Sequence, residues 1–384
     1  MIVNELKEDY KAEFGSIPTI VRAPGRVNII GEHTDYNDGF VLPAAIDKAA
    51  YLAIGLRNDN EVHLIAKDLN EKYSVNLKGL NPIHDISWPN YLLGVVAQFQ
   101  KKGIPVVGFN AILTSDIPLG AGLSSSAAVE CATAFGLNTL LNAGQDKVEL
   151  VKMAQKAEHE YAGVMCGIMD QFASMMGKKD HVIKLDCRSL EYSHVPFQLD
   201  DYSIVLLNTN VKHSLASSEY NTRRKECEQA VAWVNESIPG VTSLRDVTEE
   251  MLDQYVLPKD SIIDMRSRFI VQEIDRLQKG CEDLAHGKLN KLGEKMFATH
   301  DGLSIMYAVS CKELDFLIDQ VRNHPAVIGA RMMGGGFGGC TINLVQKDAI
   351  DQLIAEIKPT YEEKMQLPLD CYVTSIEQGT GLVD

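Results

Sequence analysis

The stretch GEHTDYNDG, Gly31–Gly39, follows the apolar run Val27-Asn28-Ile29-Ile30 and sets Glu32, His33, Asp35 and Asp38 within seven residues. The run reads as a strand heading into a core. A turn that only reverses such a strand needs one or two polar residues, so four acceptors suggest a metal loop, a solvated turn, or a site for a ligand rich in hydroxyls. A calcium loop fails on spacing, because counting back from Gly39 puts Thr34 and Tyr36 where acids should stand. Asp38 and Gly39 supply the turn that starts the next strand.

Length and charge narrow the choice. A chain of 384 residues is long for one hydrophobic core, which predicts two domains. Acidic residues outnumber basic ones by 52 to 37, for a net charge of −15, a field that repels nucleic acid and anionic lipid. The densest basic cluster, Arg223-Arg224-Lys225, runs straight into Glu226 and Glu228 and is expected on a solvated helix face, with an anion site as the second reading. No apolar run is long enough to span a bilayer, and the acidic start MIVNELKEDYKAEF lacks the centre of an export signal. Eight scattered cysteines without a C-x-x-C pair are expected to be free thiols, and the expected location is the cytoplasm.

Working outward, TIVRA, RVNII, FVLPAAI and YLAIGL read as short strands, with Arg26 in the turn APGR between the first two. Helices are predicted around NYLLGVVAQFQKKG, from Ser124 to Leu141, from Asp146 to Tyr161 and from Met169 to Met176. HVIKLD and YSIVLLNTN read as strands, the second half carries long helices, and GARMMGGGFGGCTINLV reads as a hairpin. Strands and helices mix without a repeating βα beat, so the fold class is α+β.

Two glycine-bearing stretches stand out. In PLGAGLSSSAAVE, Pro118–Glu130, Gly120 and Gly122 let backbone amides approach a ligand, and the serines open a helix whose free N–H groups attract phosphate. An ordinary helix cap needs only one serine. No lysine follows the glycines as in a Walker A loop. Ser125 stands where a dinucleotide fingerprint has its third glycine, and Asn138 and Asn142 fall where its acid belongs, which counts against an NAD-binding oxidoreductase. In GGGFGGC, Gly334–Cys340, five glycines in six residues predict a loop that comes close to a ligand or another backbone.

Two carboxylates sit in unusual places. On a helical wheel Glu158 falls on the apolar side, between Ala154 and Val151, where it needs a cation or a set of donors unless its side chain reaches water. Magnesium near phosphates is a natural partner. Asp170, after Gly167, opens a short helix; it either caps that helix or acts as a base held ionised by an arginine, for which Arg26 is the candidate.

Together these segments resemble the galactokinases of the GHMP kinase family. GRVNIIGEHTDYNDGFVLP is similar to their signature, and PLGAGLSSSAA and GGGFGG to the family's second and third motifs. AEHEYAGVMCGIMDQF, SLASSEYNTRR and WPNY continue the likeness in order. The resemblance implies a two-lobed GHMP kinase fold, with a mixed-sheet N-terminal domain over residues 1–195, a helix-rich α+β C-terminal domain over 196–384, and the active site between them. It implies transfer of the γ-phosphoryl group of ATP to the anomeric hydroxyl of D-galactose with Mg2+, small-molecule substrates, and no obligate protein partner.

Carried onto this chain, it implies Asp170 and Arg26 as the catalytic pair. Glu32, His33, Thr34, Asp35, Gly167 and Tyr220 would bind sugar. Gly120, Ala121, Gly122, Leu123, Ser124, Ser125 and Ser126 would cradle ATP with Trp88 near the base, and Ser126 and Glu158 would take the metal. Ionised Glu32 and Asp35 would then accept from neighbouring sugar hydroxyls. Their charge argues against a substrate with its own carboxylate, such as mevalonate. An N-acetylgalactosamine kinase or another GHMP sugar kinase is the alternative within the family. A non-catalytic galactose/ATP sensor is one outside catalysis, against which the intact GLSSSAA, Asp170, Arg26 and Glu158 stand.

Overall fold

In the computed structural model, which describes residues 2–118, 120–211 and 216–383, the predicted strands TIVRA and RVNII are one continuous strand, Thr19–Asn28. Its pairing with Pro43–Leu56 shifts register between Pro24 and Arg26, so the expected turn APGR is a β-bulge. The bulge, with Gly25 inside it, absorbs the kink that proline suggested while the ladder goes on. YLAIGL likewise belongs to the long strand Pro43–Leu56.

These two strands are the centre of a six-stranded mixed sheet. In spatial order it runs Gly381–Leu382, Thr19–Asn28, Pro43–Leu56, Phe109–Ser115, Glu61–Ala66 and Glu71–Asn76. Only Glu61–Ala66 and Phe109–Ser115 pair in parallel within it. Helices Trp88–Lys101, Ser125–Leu140, Lys147–Ala157 and Met169–Met176 pack with it around the largest core. Helix Ser125–Leu140 buries every residue from Ala127 to Ala134, and these are mostly small. Alanines and Gly136 let it lie close against the two central strands, Gly136 facing Val21 and Ile54. That contact holds the start of the helix beside Arg26. A three-stranded sheet, Phe40–Val41, His181–Asp186 and Tyr192–Pro196, adjoins the central strands.

The second half builds an antiparallel four-stranded sheet in the order Val327–Met332, Cys340–Gln346, Tyr202–Asn208 and Asp370–Thr374. The predicted hairpin is present, with Met332 opposite Thr341 and the glycines at its tip. Helices Ala216–Asn235, Ser261–Ala285, Leu289–Asp301, Lys312–Val321 and Ile350–Met365 pack around two further cores. The motif beginning at Ser214 has residues 214–215 outside the described chain. Arg223 is not on a solvated face: it is buried, donates to the carbonyls of Tyr307 and Ala308 (both 2.9 Å), and lies over the Phe337 ring. Unpaired helix-end carbonyls reward a cation more than water does. Among the described residues no helix is long and apolar enough to cross a membrane, and all eight cysteines are free.

Candidate active site

Arg26 leaves the bulged strand into a buried position and forms a fork with Asp170: Nε donates to Oδ1 and Nη2 to Oδ2, each at 2.9 Å. Its third nitrogen, Nη1, donates to the Gly122 carbonyl (2.5 Å), and its backbone N–H to the Leu123 carbonyl (3.1 Å). Burial works against the Arg26 charge, but Asp170, Glu32 and Asp35 outweigh it and hold the guanidinium firmly protonated. Asp170 stands in the first turn of Met169–Met176, yet its carboxylate turns away from its own helix to Arg26 and to the Ser124 hydroxyl. Capping does not explain it.

Across a cavity of ≈ 140 Å³ from this pair lie Glu32, His33, Asp35, Gly167, Tyr220 and Gly334. Glu32 is buried, and its Oε1 accepts from Arg331 Nη2 (3.0 Å) and the Gly334 N–H (2.9 Å). Burial pushes its pKa up, but Arg331 and Arg26 win and hold it below the ordinary carboxylate range, so it is ionised. Asp35 differs. Burial first, then the charges of Asp170 and Glu32, push it up to about 7, although the Tyr36 N–H donates to Oδ1 (3.0 Å). Gly167 gives it room, since a Cβ there would lie 1.8 Å from Asp35 Oδ2.

His33 lies in the left-handed region (φ 61°), with Nδ1 2.8 Å from the Tyr36 hydroxyl, which meets the Tyr307 hydroxyl at 2.7 Å. Burial lowers its pKa to about 4, so the ring is neutral at pH 7, and its Nε2 is buried beside the cavity. The ring of Tyr220 packs 5.3 Å from it. Thr34 takes another course: fully buried, its hydroxyl serves the loop's own Gly31 and Phe40 carbonyls and does not line the cavity.

The serine-rich loop enters from the other side. Gly120, Gly122 and Ser124 all have positive φ, and the loop's Ala121 and Gly122 backbone lies against Gly334 and Gly339 of the hairpin tip. The third motif therefore approaches both the second motif and Glu32. Ser126 Oγ donates to Glu158 Oε1 (3.0 Å), and Gln171 Nε2 donates to Glu158 Oε2 (2.6 Å) and Glu130 Oε2 (3.0 Å). Glu158 thus has donors rather than a cation, at the point where Lys147–Ala157 widens into the π-helical turn Glu158–Ala162. Burial, then the charge of Asp170, push it up to about 7. Burial and Glu158 hold Glu130 well above the ordinary range, and its Oε1 is buried without a hydrogen-bond partner among the described residues. Trp88 lines an apolar cavity of ≈ 240 Å³ with Tyr91, Leu113, Val129, Ser125 and Ser126, its Nε1 donating to Glu71 (2.7 Å). The polar and apolar cavities meet across the Ser126–Glu158 hydrogen bond.

Among the described residues no three His, Cys, Asp or Glu side chains form a metal cage. One hydroxyl and one carboxylate beside a phosphate-binding helix start fit Mg2+, which takes few protein oxygens and completes its shell with phosphate and water. Sequence reading missed Arg331, Glu130 and Gln171. Arg331 had a usable signal, a lone ion within the apolar run GARMM, the same argument that marked Glu158.

The family descriptions match in step with this geometry. "GHMP kinases N terminal domain" covers residues 90–178, "GHMP kinases C terminal" residues 281–363, and "Galactokinase galactose-binding signature" residues 8–56. Fold and site together define an ATP-dependent small-molecule kinase of the GHMP class. A mevalonate kinase from Methanococcus jannaschii shares the fold at TM-score 0.65 and 20% identity, over 95% of this chain and all of that one. Nearer relatives narrow the class. A galactokinase of Thermotoga neapolitana is 41% identical over 94% of this chain and 99% of its own, and one of Clostridium tetani 38% over 99% and 97%. The Lactococcus lactis galactokinase, solved in complex with galactose, superposes at TM-score 0.95 with 34% identity over the whole of both chains. The chain belongs to the galactokinase family of ATP-dependent sugar kinases.

Proposed function

We propose that this chain transfers the γ-phosphoryl group of ATP to the anomeric hydroxyl of D-galactose, giving galactose 1-phosphate and ADP, with Asp170 and Arg26 as the catalytic pair. The observation that carries the reading is the Arg26–Asp170 fork. It stands on the wall of the carboxylate-lined cavity and is tied through Arg26 Nη1 to the backbone of the phosphate loop. A sugar in the cavity and a nucleotide on the loop therefore meet at these two side chains.

Glu32 and Asp35, with neutral His33 and Tyr220, orient the hydroxyls so that the reducing end faces Asp170. Gly167 keeps space for Asp35. Residues 120–126 present backbone amides, and Ser125 and Ser126 their hydroxyls, to the phosphates, and the apolar cavity beside Trp88 takes the base. Ser126 and Glu158 would hold Mg2+, which when bound neutralises charge on the transferring phosphates. Arg26 faces the charge that develops in a loose transition state, and Asp170 accepts the hydroxyl's hydrogen bond and takes its proton as the new O–P bond forms.

No protein partner, nucleic acid or membrane is needed for this reaction, and eight free thiols favour a reducing cytoplasm. We place the domain division at 195/196. Strands Tyr192–Pro196 and Tyr202–Asn208 fall in different sheets on its two sides, while the terminal strand Gly381–Leu382 returns to the first sheet.

The test is Asp170→Asn, assayed as ADP release with galactose and MgATP. The expected result is a fall in kcat of about 10²–10⁴-fold with sugar and nucleotide binding retained. Near-normal kcat would remove Asp170 from the chemistry, and turnover of N-acetylgalactosamine without turnover of galactose would overturn the substrate.

A further inference from the structure

Ser124 occupies a place in the phosphate loop where its side chain serves neither the helix nor the loop. It is the residue before helix Ser125–Leu140, yet its hydroxyl makes no capping bond. Its backbone sits at φ 57°, ψ 55°, the left-handed region that costs an L-residue and suits glycine, as it does at Gly120 and Gly122 just before it. Glycine would fit this backbone without strain, so the one thing the serine adds is its side chain. The structure shows where it reaches: Ser124 Oγ donates to Asp170 Oδ2.

An ionised carboxylate offers about four lone-pair positions. On Asp170, Arg26 Nε takes one on Oδ1 and Arg26 Nη2 one on Oδ2, both at 2.9 Å, and Ser124 takes the second on Oδ2. One position remains, on Oδ1. We propose that Ser124 is a positioning residue: the Arg26 fork sets the rotation of the Asp170 carboxylate, and Ser124, by closing Oδ2, leaves Oδ1 as the atom that meets the sugar hydroxyl. Because Ser124 belongs to the nucleotide loop, and Arg26 holds that loop at Gly122, the orientation of the acceptor depends on the loop's geometry. This rests on the reading of Asp170 as that acceptor, and it gives the hydroxyl a role other than contact with phosphate.

Glycine and alanine separate the backbone from the hydroxyl. Ser124→Gly keeps the left-handed conformation without strain and removes the whole hydroxymethyl group, whereas Ser124→Ala removes only Oγ and keeps the strain. In the full chain, assayed by ADP release with galactose and MgATP, both variants are expected to lose about tenfold in kcat, with both KM values within about twofold of the parent. On an Asp170→Asn background, Ser124→Gly is expected to have no further effect, since the carboxylate it acts on is gone. Full kcat in Ser124→Gly would show that the position matters only for loop shape. A raised KM for MgATP as the main effect would make Ser124 a nucleotide ligand, and an equal loss on both backgrounds would show action independent of Asp170; each overturns the proposal. Near-normal kcat in Asp170→Asn alone would instead remove the underlying reading, and is scored separately.

Discussion

Asp35 and Glu32 are two acids of one loop with opposite electrostatics. Glu32 has Arg331 and a backbone amide on its Oε1 and stays charged, while Asp35 faces Asp170 and Glu32, makes no direct ion pair among the described residues, and is pushed up to about 7. Ionised Asp35 accepts from sugar hydroxyls more strongly than its protonated form, so galactose affinity should weaken as pH falls below about 7, by up to about tenfold per pH unit. Calorimetric titration with galactose between pH 5.5 and 8.5 checks this, and Asp35→Asn should flatten the profile. His33, lowered to about 4, is not its source. The same shift affects stability. A carboxyl whose folded pKa lies above its unfolded value of 3.8 contributes stability in full below about pH 4 and loses it as pH rises through 7. Asp35→Asn should therefore raise Tm at pH 8 and leave it unchanged at pH 4.

The bulge in Thr19–Asn28 shows what one irregular position does for a regular element. It turns Arg26 towards Asp170 and lets the Leu123 carbonyl reach the Arg26 amide. Gly25 permits this approach: a Cβ there would stand 2.8 Å from the Leu123 oxygen and 3.3 Å from Ile117. Gly25→Ala should push the phosphate loop outward, raising KM for MgATP about tenfold, by the usual cost of overpacking. Galactose binding measured without nucleotide should stay unchanged, and loss of both would indicate general unfolding instead. The bulge was not legible beforehand, because proline and glycine in APGR signal a turn as readily as a bulge. The π-helical turn at Glu158 was hidden too. The wheel placed the carboxylate on the apolar side, but the widening that presents it to Ser126 and Gln171 follows from packing, not from residue spacing.

The two halves of the chain are joined by buried polar contacts. Arg331, fully buried in the hairpin strand, donates to the Ile29 and Asn28 carbonyls of the first half, to its neighbour Met332, and to Glu32. One guanidinium thereby seats the hairpin on the sugar loop. Removing it takes from Glu32 its one direct ion-pair partner among the described residues, leaving the Gly334 N–H, and takes a charged donor from three carbonyls, so Arg331→Ala should lose ~3–5 kcal/mol of stability, read as a lower urea midpoint. Galactose affinity should fall with it. An unchanged midpoint would show that the contact holds nothing together. The terminal strand adds a second tie, since Val21 and Arg22 pair with Leu382 and Gly381, and Arg22 also donates to the Gln378 carbonyl (2.9 Å).

Residue order alone specified the chemistry on offer: a loop of acids after a strand, a glycine–serine helix start, a glycine-rich hairpin, a carboxylate at 158 on the apolar side of a helix, and another at 170 opening one. Those are short-range patterns, set by side-chain type and by the periods of strand and helix, and a linear reading reaches them. Which oxygen meets which donor was decided only by tertiary packing. Asp170 finds Arg26 across 144 residues and Ser124 across 46, and Glu32 finds Arg331 across 299. Partners so far apart leave no periodic trace between them. They meet because burying the apolar faces of two sheets and their helices brings these polar ends together, and a buried charge must then be matched by whatever donor the packing supplies.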